Sequence, residues 1–131
     1  LGASMEGKDV IVVDDMIASG DSMLDIAYDL KKRGANKVFA ACTYALFTEG
    51  VDRFNKAVED GVLTAVLSTN LTYRSPELLA QPWYVDVDLA TDLALKIATL
   101  HHDRSLSTLL NPLDRIHRLM DRYGFKRPQE G

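Results

Sequence analysis

Short apolar runs and amphipathic stretches alternate along the chain. Val10–Val13 is wholly apolar and β-branched, as expected of a strand covered on both faces. From Asp21 the period lengthens to that of a helix, with Met23, Ile26, Ala27 and Leu30 forming one stripe. Lys31, Lys32 and Arg33 then place positive charge at the negative end of the helix dipole, and Gly34 supplies a stop. Val38–Cys42 reads as a second strand, Val51, Phe54 and Val58 as a second helix closed at Gly61, and Leu63–Leu67 as a third strand. A polar, irregular stretch over Ser68–Gln81 ends at Pro82, and Trp83–Val87 has the aromatic and β-branched content of a fourth strand. A helix follows from about Asp88, with Leu89, Leu93, Ile97 and Leu100 along one side. Asn111-Pro112, a cap residue before a proline, starts a last helix whose apolar face is Leu113, Ile116 and Met120.

Apolar strands alternating with amphipathic helices predict an α/β fold, a parallel sheet flanked by helices. Four strands are few for such a sheet, and the chain opens Leu1-Gly2-Ala3 with no initiator methionine and a strand soon after. Both features read as a piece of something longer, its remaining strands upstream, although Met5 also offers a start. The organised part is expected to be one partial domain over 1–123, with a flexible tail at 124–131.

The 131 residues suffice for one sizeable core. Lys plus Arg number 15 against 19 Asp plus Glu, a net charge of −4 without the basic stripe of a nucleic-acid binder. A single cysteine, Cys42, has no internal disulfide partner, which favours a reducing, cytoplasmic setting. No segment approaches the ~20 apolar residues of a membrane helix.

The chemistry concentrates in Val10–Met23, VIVVDDMIASGDSM. In an open α/β sheet, ligands bind beyond the carboxyl ends of the strands, where Asp14 and Asp15 stand. Ala18, Ser19, Gly20, Asp21 and Ser22 are small or oxygen-bearing and lead into a helix N-terminus. Such a turn offers backbone amides and dipole potential to an anion such as phosphate, and the two hydroxyls can donate further bonds. The paired carboxylates suit the 2- and 3-hydroxyls of a ribose, directly or through Mg²⁺. A phosphorylated pentose answers both features. The same residues also fit a plain turn with ordinary helix-start chemistry, and spacing alone does not choose. A Walker loop is excluded, because no Gly-Lys-Ser/Thr is present.

This strand, acid pair and small-residue loop resemble the 5-phosphoribosyl-1-pyrophosphate (PRPP) signature of the phosphoribosyltransferase fold. Gly34–Val38, Ala41–Thr48, Leu67–Asn70, Val85–Val87 and Leu100-His101 narrow the resemblance to ribose-phosphate pyrophosphokinases, the PRPP synthetases, and to their C-terminal domain. It covers roughly Lys8 to His102, and Ser105–Tyr123 looks like an extension found in some bacterial members. The resemblance implies a type I phosphoribosyltransferase-like fold, a cytoplasmic homo-oligomer, and transfer of pyrophosphate from ATP to ribose 5-phosphate with Mg²⁺. Asp14 and Asp15 would hold the ribose or the metal, and Ala18, Ser19, Gly20, Asp21 and Ser22 the 5-phosphate. Ala18 stands where many relatives carry an acid, Ser22 where they carry threonine, and Tyr44 where histidine is usual. Asp21 adds a negative charge to a phosphate loop. The family's cationic catalytic loop and ATP-binding residues lie upstream of this signature and have no counterpart in Leu1–Asp9. The chain is therefore expected to hold about half of an active site, with no residue assigned as catalytic, and not to make PRPP alone. Two alternatives stay open: a phosphoribosyltransferase that consumes PRPP, and a non-catalytic regulatory homologue.

Other residues have simpler readings. Consecutive His101-His102, before Asp103, diverge by about 100° on a helix and chelate poorly. Cys42 reads as core. Trp83 and Tyr84 suit a half-buried strand better than a nucleobase stack, while Tyr73 and Arg74 lie in a loop suited to a neighbour or an effector nucleotide.

Overall fold

The apolar runs become four parallel strands of one sheet in the order β1-β2-β3-β4: Val10–Ile17, Val38–Ala45, Ala65–Thr69 and Tyr84–Val87. Helix α1 (Asp21–Lys32) crosses from β1 to β2, α2 (Asp52–Glu59) from β2 to β3, and the short α3 (Pro76–Leu79) from β3 to β4. Among the described residues two further helices follow, α4 (Ala90–His101) and α5 (Leu113–Arg122). The structure, a computed structural model, describes residues 4–102, 105–106 and 111–125. The expected tail beyond Phe125 and Asp103 after the histidine pair lie outside these residues.

The chain divides into two compact units, Leu1–Leu89 and Ala90–Gly131. In the first, strand order rises steadily with sequence, so right-handed crossovers put α1, α2 and α3 on one face of the sheet. That face holds the core: Val38, Ala40, Cys42, Val66, Ser68 and Tyr84 are buried beneath Met23, Leu24, Ala27, Phe54 and Ala57. The expectation that β1 is covered on both faces is corrected here. Ile11 and Val13, on the other face, are 65% and 76% exposed.

Several boundaries move. β1 continues past Val13 to Ile17 because its ladder with β2 continues, Met16 pairing with Tyr44 and Ile17 with Ala45. β3 starts at Ala65, since the Leu63 amide bonds the Ala57 carbonyl (3.0 Å) and closes α2 instead. The stretch read as irregular contains α3, begun by Ser75, whose hydroxyl accepts from the Leu78 amide at 3.1 Å. In α1 the buried stripe takes Leu24 in place of Ile26, which is 44% exposed. Trp83 and Tyr84 are buried rather than half-buried, in a cluster with Phe47 and Phe54.

Among the described residues the second unit holds α4 and α5, joined by an ion pair between Arg115 and Asp92 (2.6 Å). Arg115 holds the Asp92 carboxyl below the usual aspartate range. No residue of α4 is buried. Among the described residues no helix is long and apolar enough to cross a membrane.

Candidate functional site

β1 delivers the acid pair, and the chain then turns sharply into α1. The turn depends on Gly20, whose φ of 92° is left-handed and whose missing Cβ leaves room for the Phe54 ring of α2. Two backbone bonds tie the turn to the chain beyond β2, Leu46 N–H to the Ile17 carbonyl (2.8 Å) and Thr48 N–H to the Ala18 carbonyl (3.0 Å). The result is a fixed bend that opens onto the first turn of α1.

The cap residue, Gly20, has no side chain to cap that helix, and the Ser19 hydroxyl accepts only the Asp21 amide, at 3.4 Å. A helix start leaves its first amides without intrahelical acceptors, and the dipole adds positive potential there, so the opening suits an anion. Asp14, Met16 and the whole run Ile17–Met23 line a cavity of about 130 Å³. It accommodates a phosphoryl group and is smaller than the ~300 Å³ typical of a whole small-ligand pocket. A second, apolar cavity of about 310 Å³ lies on the open face at the strand ends, lined by Val13, Ala41, Thr43, Leu67, Thr69 and Val87 among others. Asp14 borders both cavities.

The structure thus gathers Asp14, Ala18, Ser19, Gly20, Asp21 and Ser22 around one opening. Asp15 does not line it: both acids lie inside β1, where consecutive side chains take opposite faces. Both are exposed, and neither forms an ion pair among the described residues. Asp14 accepts only its neighbour's amide, Asp15 N–H to Oδ1 at 2.8 Å. Unpaired carboxylates of this kind suit Mg²⁺, which takes one or two of them and fills its shell with water and ligand oxygens. The described residues contain no cluster of three or more metal-binding side chains, so a metal here would depend on the ligand's own oxygens.

Asp21 is disposed differently. Its carboxylate accepts from the Ser19 hydroxyl (2.9 Å) and pairs with Arg53, which also reaches Glu49 at 3.2 Å. The Arg53 bond holds the Asp21 carboxyl below the usual aspartate range, and Asp21 in turn raises Arg53. Sequence reasoning missed Arg53, which lies 32 residues beyond Asp21. The available signal was topological: in a parallel sheet the N-terminus of α2 lies at the same edge as that of α1.

The remaining candidates stand apart. Burial raises the Cys42 thiol above its ordinary value, and Cys42 belongs to the core. Burial likewise raises Tyr84. His101 and His102 face each other at 5.3 Å between ring centres at the end of α4. Arg74 is anchored to Asp86 (3.3 Å), while Tyr73 beside it is 84% exposed.

Residues 2–111 match the family model described as the phosphoribosyl synthetase-associated domain. The chain belongs to that family. Its relatives include the ribose-phosphate pyrophosphokinase of Vibrio cholerae, 34% identical over 107 residues that make up 82% of this chain and 33% of the relative. The ribose-phosphate pyrophosphokinase of Pyrococcus furiosus is 40% identical over 78 residues, 57% of this chain and 28% of that protein. A human family relative, phosphoribosyl pyrophosphate synthase-associated protein 2, is 33% identical over 103 residues, 79% of this chain and 27% of its own. The crystal structure of phosphoribosylpyrophosphate synthetase from Mycobacterium smegmatis superposes with a TM-score of 0.67 at 22% identity, covering 78% of this chain and 33% of that one. The fold is therefore the phosphoribosyltransferase-like α/β fold of that structure. The chain spans about a third of the length of the curated relatives it matches first.

Proposed function

We propose that the chain is the C-terminal, pentose-phosphate-binding portion of a ribose-phosphate pyrophosphokinase. The uncapped start of α1, with Asp14 bordering both its cavity and the next, is the observation that carries this reading. The amides of Ser19–Ser22 and the Ser22 hydroxyl take the 5-phosphate, the Ser19 proton being given to Asp21, and Asp14 accepts hydrogen bonds from ribose hydroxyls. Asp15, on the other side of the strand, reaches the ligand only through water or Mg²⁺. Asp14 and Asp15 would be the residues to hold Mg²⁺, which would supply charge neutralisation for a transferring pyrophosphoryl group. What these residues do themselves is bind and orient, fixing the sugar so that its 1-hydroxyl is presented to an ATP site carried elsewhere in the assembled protein.

On this reading the 131-residue chain binds ribose 5-phosphate and PRPP yet releases no AMP from ATP and ribose 5-phosphate by itself. A coupled assay for AMP tests this directly. Sustained, ribose-5-phosphate-dependent release by the chain alone contradicts it.

A second reading is favoured by one residue. Ala18 occupies a loop position where the resemblance leads one to expect an acid, which supports a non-catalytic homologue that binds the same ligand and acts through subunit contacts. Ala18→Asp separates the two in the protein that contains this chain: a gain of PRPP synthesis from an inactive background supports the regulatory reading, and activity before the substitution excludes it.

A further inference from the structure

We propose that Arg53 is a positioning residue of the phosphate loop, cancelling the charge of Asp21 so that the loop can accept an anion. This rests on the loop taking a phosphate. A carboxylate in the first turn of α1, lining the same cavity as Ser22 and Met23, opposes an incoming phosphate at close range. Two contacts divert it, and a third holds its partner. Arg53 pairs with one Asp21 oxygen, the Ser19 hydroxyl donates to the other at 2.9 Å, and Glu49 holds the far side of the guanidinium at 3.2 Å. The next residue of α2, Phe54, packs its ring against Gly20, so the loop and the start of α2 are held in register. Ser19 is thereby oriented by Asp21, and Asp21 by Arg53, a chain that ends at the mouth of the cavity. Arg53 itself is absent from the cavity lining, which makes its action indirect.

The test is a double-mutant cycle on the 131-residue chain, with ribose 5-phosphate and inorganic phosphate as probes and affinity read from amide shifts or calorimetry. Arg53→Gln is expected to weaken ribose 5-phosphate about tenfold, while Arg53→Lys stays within about threefold of wild type. Asp21→Asn alone tightens binding, and Asp21→Asn with Arg53→Gln returns affinity to within about threefold of wild type. Raising the salt shrinks the Arg53→Gln defect, a response that a purely structural lesion does not give. The inference is overturned if Arg53→Gln binds like wild type, or if the double variant stays as weak as Arg53→Gln, which would place the guanidinium on the phosphate. Failure of the wild type to bind either probe is a different result. It removes the loop reading itself, and the role of Arg53 with it.

Discussion

Helices α1 and α3 begin with the same chemical vocabulary and use it differently. At α3, Ser75 is extended (φ −65°, ψ 151°), its hydroxyl accepts from the Leu78 amide, and Pro76 takes the first helical position. Every residue there serves the helix. At α1, two serines and an aspartate surround the start, yet Gly20 occupies the cap position in a left-handed conformation and no side chain caps the helix. Ser19 donates to the Asp21 carboxylate and takes the Asp21 amide only at 3.4 Å, while the Asp21 carboxylate turns to Arg53. The Ser22 and Met23 amides are left without a side-chain acceptor, a contrast with α3 that agrees with the binding role proposed for α1.

The largest effect is expected from Gly20→Ser, which offers α1 the cap that α3 has. The substitution forces a left-handed side-chain-bearing residue against Phe54, so the chain should lose about 2 kcal/mol or more by chemical denaturation, and ribose 5-phosphate binding with it. A stable Gly20→Ser variant with intact binding would break the comparison. Next comes Asp14→Asn, predicted to cost about tenfold in ribose 5-phosphate affinity while leaving inorganic phosphate nearly unchanged. Equal losses for both ligands would move Asp14 from the sugar to the phosphate. Ser75→Ala removes a true cap and should destabilise by about 1 kcal/mol in denaturant melts, with ligand affinity untouched.

The smallest effect is on pH. Because Arg53 lowers the Asp21 carboxyl when folded, the pair contributes at neutral pH and is lost only as pH falls through that lowered value, beneath the ordinary aspartate range. A carboxyl-carbon titration should therefore place Asp21 low, together with Asp92 beside Arg115. An Asp21 midpoint at or above the ordinary range would show that the ion pair does not persist.

The sequence carried much of this and stopped at particular residues. β-branched runs located four strands, and the acid-pair signature located the loop, because both signals are local. Strand ends moved because pairing partners, not composition, extend a ladder: Met16 and Ile17 join β1 through Tyr44 and Ala45. The open sheet face was hidden because it follows from strand order, and no stretch of Val10–Val13 encodes its neighbours. Leu24 and Ile26 exchanged roles because a helical period fixes a face only to within about one residue. Ser75-Pro76 was a legible start signal, passed over because α3 is four residues long. Arg53 could not be read at all from local pattern, since its meaning depends on two helix starts meeting at one sheet edge.

The most direct test of the central claim is an NMR titration of the chain with ribose 5-phosphate, with free ribose as the control. Saturable shifts are predicted for the amides of Ser19–Met23, weak or absent with ribose, while the Leu78 amide of capped α3 stays silent. Shifts that avoid Ser19–Met23, or that ribose reproduces without its phosphate, would contradict the assignment of α1 as the phosphate-binding start.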